Sequence, residues 1–267
     1  MIILIPMAGA GSRFQEVGYP KHKPVIKVTS RNTGLKIPMV VAATSDIPDS
    51  SNKYSKIIYI DQDFHKKDKV EEEIKKYYPN ANFITIDYLT EGQASTCLLA
   101  KDYINNDEEL LIAACDNGME LDIERFQKSK KYCDAMIFTF RNNSSVEEKP
   151  ESYGWVKINN EGEVIDTSVK IAISSNPIKD HAIVGVFWFS KGSNFVRASE
   201  KMIFENDRIN NEFYVDQTMK HMIDIGLKVK IFEIDKYICW GTPKDYENYE
   251  NTIKYWQDFY KNEDWIN

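Results

Sequence analysis

Long apolar runs are absent from this sequence. No stretch approaches the roughly 20 consecutive apolar residues needed to cross a bilayer. The opening run, Ile2 to Met7, is too short for the apolar region of a signal peptide and has no basic start. The chain therefore reads as soluble and cytoplasmic, with no membrane partner. A basic excess is missing as well: 34 Lys and Arg stand against 41 Asp and Glu, a formal net charge of −7, which argues against nucleic acid as a sequence-independent partner. Cysteine is sparse, and Cys97, Cys115, Cys133 and Cys239 show neither CxxC nor Cys/His metal spacing. They read as reduced and mostly buried. Repeats, linkers and low-complexity stretches are lacking. With 267 residues, 42% of them hydrophobic, the chain can build one compact domain spanning 1–267 around a large core.

What the sequence does have is concentrated at its start. Ile2 to Met7 has the length and branching of a strand buried on both faces, and it runs into Ala8-Gly9-Ala10-Gly11-Ser12-Arg13. Two glycines one residue apart let the backbone turn and bring its N–H groups against a ligand. Arg13 adds a planar, permanently charged fork suited to phosphate, and Lys21 and Lys23 follow closely. A strand, a bare backbone loop, an Arg and a Lys describe a triphosphate cradle, with the loop Met7-Ala8-Gly9-Ala10-Gly11-Ser12 on the nucleotide. Two better-known phosphate loops are excluded. Phe14 occupies the third glycine position of G-x-G-x-x-G, and no G-K-[ST] follows as Walker A requires.

Downstream, strands and helices alternate. A helix is expected to start within Ile37–Ala43, with Pro38 in its first turn. Strands follow at Lys56–Ile60, Phe83–Tyr88, Leu110–Ala114 and Ala135–Phe140. Helices over Phe64–Tyr78, from about Thr90 to Ile104, and over Ile123–Tyr132 separate them. Such alternation implies right-handed crossovers and an α/β fold, a Rossmann-like, mostly parallel sheet covered by helices. The pattern then changes. Tyr153–Ile158 and Val164–Val169 flank the turn cluster Asn159-Asn160-Glu161-Gly162, a β-hairpin. A strand at His181–Phe189, helices at about Asn194–Phe204 and Glu212–Ile225, and strands at Lys228–Ile234 and Tyr237–Trp240 complete the body. The tail, Pro243 to Tyr260, reads as a helix whose aromatics (Tyr246, Tyr249, Trp256, Phe259, Tyr260) pack against the core.

In open parallel sheets, ligands sit outside the carboxyl ends of the strands. Three motifs fall there: the glycine loop, Thr90-Glu91-Gly92-Gln93-Ala94, and Cys115-Asp116-Asn117. Gly92 would let a base approach the backbone, and Gln93 would read its edge with an amide that both donates and accepts. Asp116 suits the Mg²⁺ that accompanies a triphosphate, which asks for few carboxylates beside phosphate oxygens and water.

Taken together, Gly9, Gly11, Ser12, Arg13 and Lys23-Pro24-Val25-Ile26-Lys27-Val28 resemble the signature G-x-G-[ST]-R…P-K-P-[LV]-[LIV]-x-[VI] of the sugar-phosphate nucleotidyltransferases. That family includes thymidylyl- and cytidylyltransferases. The resemblance implies that Lys23 is the essential lysine, with His22 in place of the usual proline. Aligning Pro20-Lys21 instead would make it Lys21. It also implies a base-reading loop at Glu91-Gly92-Gln93-Ala94, a metal-binding Asp116 in a variant of the family's G-D-[NQ], and acceptor contacts at Tyr153, Gly154 and Lys170. At Lys170 the family's Glu-Lys has become Val169-Lys170. Thymidylyltransferases place a second metal-binding Asp just before the Gly-Thr of a late strand, where this chain has Cys239-Trp240-Gly241-Thr242. Cysteine is a poor ligand for a hard cation, and Asp216 or Asp235 stand as alternatives.

The function so implied is transfer of a nucleotidyl group from an NTP, CTP foremost, to a phosphorylated small-molecule acceptor such as a sugar 1-phosphate, with Arg13 and Lys23 as catalytic residues and Mg²⁺ as cofactor. The product would serve cell-surface polymers such as capsule polysaccharide, and self-association into a homo-oligomer stays open. Two other readings compete. Asp61-Gln62-Asp63 offers the Asp-x-Asp of a glycosyltransferase, and His22 and Cys239 keep alive a nucleotide-binding regulatory domain without catalysis.

Overall fold

The first strand alternates its side chains between two cores. In the computed structural model, which describes residues 1–261, Ile2 and Leu4 of β1 (Ile2–Pro6) point into one apolar cluster and Ile3 and Ile5 into another, all four fully buried. Burying each such side chain stabilises the fold by about 1.5–3 kcal/mol. After α1 (Ser12–Glu16), β2 (Lys27–Thr29) and β3 (Lys36–Pro38) form a small antiparallel ribbon leading into α2 (Met39–Ser45). Pro38 thus ends a strand and caps the helix rather than lying within its first turn.

The centre of the sheet is parallel, as expected. β1 lies between β4 (Lys56–Gln62) and β6 (Leu110–Ala113), and β5 (Asn82–Ile86) follows β4 at the edge. Helices α3 (Val70–Lys75), α4 (Gln93–Leu98) and α5 (Lys101–Ile104) occupy the crossovers. Each is shorter than the sequence suggests. The expected helix over Phe64–Tyr78 is a 3₁₀ stretch, Asp63–Asp68, separated from α3 by Lys69 in the left-handed conformation, φ 54°. The helix from Thr90 to Ile104 is interrupted between α4 and α5.

Beyond β6 the plain alternation fails. β7 (Asn117–Glu120) leaves the sheet, α6 (Ile123–Ser129) crosses over, and β8 (Ala135–Phe140) does not pair with β6. After the one-turn α7 (Ser145–Glu148), β9 (Gly154–Ile158) and β10 (Val164–Val169) form the expected antiparallel hairpin. β11 (His181–Phe189) then inserts between β6 and β8, antiparallel to both. Its run of buried residues, Trp188 and Phe189 among them, is what a strand enclosed on both faces needs. Helices α8 (Gly192–Phe204) and α9 (Val215–Asp224) pack on one face, and β12 (Val229–Glu233) pairs parallel with β8. The result is a mostly parallel central sheet, extended by antiparallel strands and covered by helices.

β13 (Lys236–Cys239) pairs antiparallel with β7, placing Cys239 opposite Asn117, and leads into α10 (Pro243–Lys261). The aromatic stripe of α10 is only half core. Tyr246 donates its hydroxyl to the Lys27 carbonyl at 2.9 Å, and Tyr249 bonds the Thr29 carbonyl. Trp256, Phe259 and Tyr260 are instead exposed, at 48%, 48% and 64%. Among the described residues, the core does not extend to the last turns of this helix. No helix among the described residues is long and apolar enough to cross a membrane.

Candidate active site

The glycine loop is held from the side by Gln62. This residue, buried at the end of β4, donates its amide to the Ala8 carbonyl at 2.7 Å and to the Tyr88 carbonyl at 2.9 Å. One side chain thereby ties the loop after β1 to the loop before α4. Gly11 takes φ 61° at the N-cap of α1, a left-handed conformation that glycine adopts without Cβ strain. The loop borders a cavity of about 250 Å³ lined also by Lys23, Gln93, Cys115 and Asp116, and by His22, Phe64 and His65. His65 accepts the Gln62 N–H on Nδ1 at 3.2 Å, and burial pushes its imidazole down to about 4, so the ring is neutral. His22 is fixed by Asp68, whose Oδ2 accepts the His22 backbone N–H at 2.7 Å and lies 2.7 Å from Nδ1.

Lys23 enters the cavity from the turn before β2. Its ammonium bonds Asp116 Oδ2 and donates to the Gly241 carbonyl at 3.0 Å. Burial alone would push it down, but Asp116 more than offsets this and holds the ammonium above its ordinary value. Lys21 is exposed and borders neither cavity. The β7–β13 pairing explains why Gly241 is there. Trp240 donates its N–H to the Asp116 carbonyl at 3.0 Å, drawing the segment after β13 onto the end of β6.

A second, larger cavity of about 770 Å³ opens on the other side of Asp116. It is lined by Arg13, Asn117, Tyr153, Gly154, Lys170, Tyr214, Asp216, Tyr237, Cys239 and Asp245, among others. The two cavities share Ala114 and Asp116. Lys170, at φ 59°, donates its backbone N–H to the Tyr153 carbonyl at 3.1 Å and its ammonium to the Tyr214 hydroxyl at 2.7 Å.

The comparisons with known proteins show the family. The family model described as nucleotidyl transferase matches residues 2–259. The chain belongs to the nucleotidyl transferase family. Among solved structures it is similar to the nucleoside-diphosphate-sugar pyrophosphorylase of Vibrio cholerae RC9, with 18% identity, TM-score 0.72, and coverage of 93% of this chain and 99% of that one. It is also similar to the inositol-1-phosphate CTP transferase of T. maritima, with 12% identity, TM-score 0.65, and coverage of 91% and 90%. A third is HddC from Yersinia pseudotuberculosis complexed with GMP-PN, with 16% identity, TM-score 0.62, and coverage of 94% and 99%. The search among curated proteins found no match.

Within the nucleotidyl transferase frame, the residues singled out from sequence fall into three groups. Met7, Gly9, Ala10, Gly11, Lys23, Gln93, Cys115 and Asp116 line the smaller cavity, and Arg13, Asn117, Tyr153, Gly154 and Lys170 the larger. Others support rather than line. Ala8 and Ala94 are buried, Ser12 begins α1, and Glu91 pairs with Arg208 at 2.8 Å on the surface. Gly92 faces protein: a Cβ there would stand 2.6 Å from the Phe213 backbone, so the close approach is to Phe213. The Asp-x-Asp does not converge. Asp61 is buried and accepts from Thr85 Oγ1 at 2.8 Å, while Asp63 pairs with Lys66 outside.

As for a metal, Asp116 is suited in position and donor type. Its carboxylate is 30% exposed at the junction of the cavities, and Mg²⁺ bound with a triphosphate needs only one or two carboxylates. No group of three His, Cys, Asp or Glu side chains that could hold a metal occurs among the described residues. Burial pushes the Cys239 thiol up to about 12, keeping it neutral, and Asp235 is engaged by Arg125 at 2.7 Å. Sequence reasoning missed Asp245, which accepts from Thr242 Oγ1 at 2.6 Å and lies 3.4 Å from Cys239 Sγ. It missed Gln62, His65 and Tyr214 too. Gln62 is marked by its hydrogen bonds and His65, Tyr214 and Asp245 by lining the cavities, and no sequence motif points to any of them as a site residue.

Proposed function

We propose that this member of the family transfers a nucleotidyl group from an NTP, preferentially CTP, to the phosphate of a small-molecule acceptor, as one catalytic unit and in the cytoplasm. The observation that carries this reading is Asp116 at the junction of two cavities, bonded there to Lys23 of the smaller one, the smaller suited to a nucleotide and the larger to an acceptor. In the proposed reaction a phosphate oxygen of the acceptor attacks the α-phosphorus of the NTP. The bond from that phosphorus to the α–β bridging oxygen breaks, and pyrophosphate leaves with the electron pair. The product is a diphosphate-linked nucleotide conjugate.

Catalysis of this kind depends on positioning and charge neutralisation. Lys23 faces the developing charge at the α-phosphate and is already ordered by Asp116 and Gly241, so little reorganisation is needed. Arg13 lies exposed at the rim of the larger cavity rather than in the smaller one with the glycine loop, so its proposed role on the departing phosphates requires the triphosphate to reach past Asp116 to that rim. Lys170, anchored on Tyr214, holds the acceptor's phosphate. Asp116 would hold the Mg²⁺ that accompanies the triphosphate, which would supply charge neutralisation at the phosphates. Gln93 is the uncharged amide in the nucleotide cavity; it supports pyrimidine recognition because it can pair with such an edge in either sense. The test is pyrophosphate release on mixing the protein with Mg²⁺, each of the four NTPs and a panel of phosphorylated sugars and alcohols. Release that requires both NTP and acceptor is expected. A nucleotide-sugar substrate being consumed instead would support the glycosyltransferase alternative.

A further inference from the structure

Asp216 stands in the first turn of α9 and lines the larger cavity. Acidic residues there usually serve the helix dipole or a cap, but α9 has no side-chain cap, and the hydrogen bond its carboxylate takes comes from its own amide. The backbone opposite makes room for it. A Cβ on Gly154 would stand 2.0 Å from Asp216 Oδ2, so the glycine after Tyr153 is where the carboxylate passes. Burial pushes this carboxyl up to about 6, with Lys170 pulling the other way. A desolvated carboxylate with no donor from elsewhere among the described residues costs the fold free energy. Its presence calls for a ligand that supplies what the protein does not.

The surroundings narrow what that ligand is. A second phosphate would be repelled. A quaternary ammonium would want several free aromatic faces converging on it, and of the tyrosines lining the cavity Tyr153 meets Phe140 and Trp155 edge-on. The Lys170 ammonium covers the Tyr214 ring at 4.8 Å from its centroid. Tyr237 lies flat on Phe140 with centroids 4.0 Å apart. Hydrogen-bond donors remain. We propose that Asp216 selects the acceptor, its carboxylate accepting hydrogen bonds from hydroxyls of a phosphorylated sugar or polyol whose phosphate lies at Lys170. This rests on reading the larger cavity as the acceptor site.

The experiment compares wild type, Asp216→Asn and Asp216→Ala in pyrophosphate release from CTP. The acceptors are hexose 1-phosphates and inositol 1-phosphate on one side, phosphocholine and methyl phosphate on the other. Wild type should turn over a polyhydroxylated member fastest. Asp216→Ala should raise the KM for that acceptor about tenfold to a hundredfold, as expected for lost hydrogen bonds to a charged group, with Asp216→Asn between. The KM for CTP should stay within about twofold, and the melting temperature should hold or rise because a poorly satisfied carboxylate is gone. An unchanged acceptor KM, a lowered melting temperature in both variants, or a preference for phosphocholine or methyl phosphate would overturn the inference and leave nucleotidyl transfer standing. Release with no acceptor at all would remove both.

Discussion

Replacing Lys23 by Ala removes the one lysine ammonium that lines the nucleotide cavity among the described residues, the partner of Asp116 there. Its side chain is 15% exposed and its partner's 30%, so the charge acts in a partly dry environment where a contact to developing transition-state charge is worth about 3 kcal/mol. That corresponds to about a hundredfold loss in kcat. Stability should change far less. Asp116 loses its partner but stays open to water, so the penalty is on the order of 1 kcal/mol, a shift of about 2–4 °C in melting temperature for a chain near this size. Lys21→Ala, at an exposed position, should cost no more than about fivefold, since surface charge contacts are worth up to about 1 kcal/mol. Initial rates of pyrophosphate release with saturating NTP and acceptor, alongside thermal melts, separate these outcomes. If Lys21→Ala cripples turnover while Lys23→Ala does not, the register from Val28 backwards is wrong and so is the role assigned to the Lys23–Asp116 pair.

Further expectations follow from the same geometry. Asp116→Ala should abolish turnover and leave the far-UV circular dichroism unchanged, since the residue contributes a partly exposed carboxylate rather than core packing; near-normal activity at saturating Mg²⁺ would sink its assignment. CTP should be used faster than UTP or dTTP, and any of these faster than ATP or GTP, at equal concentration with a common acceptor; a faster purine would refute the reading of Gln93. Asp216 also predicts a pH effect on stability. Its carboxyl is raised from 3.8 to about 6, so the folded state keeps a proton that the unfolded chain releases. The resulting stabilisation is present below pH 3.8 and is lost as pH rises through 6. The advantage of Asp216→Asn in thermal melts should therefore grow between about pH 4 and pH 7, by on the order of 2 kcal/mol at most; a flat difference would count against the burial of this group.

Much of the fold could be read from local pattern. The strands around β1 carry their own apolar runs, and the hairpin carries its Asn-Gly-rich turn. What escaped was long-range. Nothing in Ala135–Phe140 signals that β11 will come between it and β6, because that pairing joins strands far apart in the chain. Lys69 at φ 54° breaks a helix whose composition is strongly helix-favouring, and tertiary packing overrides propensity there. At the site, the motif residues around the two cavities were legible because the glycine loop, the lysine and the strand-end Asp come in an ordered combination, each placed at the carboxyl end of a strand. Gln62 was not, since it acts only through the Ala8 and Tyr88 carbonyls on other elements; Asp216 was named as an alternative metal ligand, but the room Gly154 leaves for its carboxylate is set by a distant strand. The exposed end of α10 shows the reverse error, aromatic spacing taken for burial where the core of the described residues does not reach.

The account stands or falls on the bond that is made between the two cavities. The direct test supplies the best acceptor of the panel with ¹⁸O in its phosphate, together with Mg²⁺ and CTP, and follows the label by mass spectrometry. Attack on the α-phosphorus predicts all the label in the nucleotide conjugate, with unlabelled pyrophosphate released in equal amount. Label in pyrophosphate or orthophosphate, or free CMP in place of a conjugate, would contradict it.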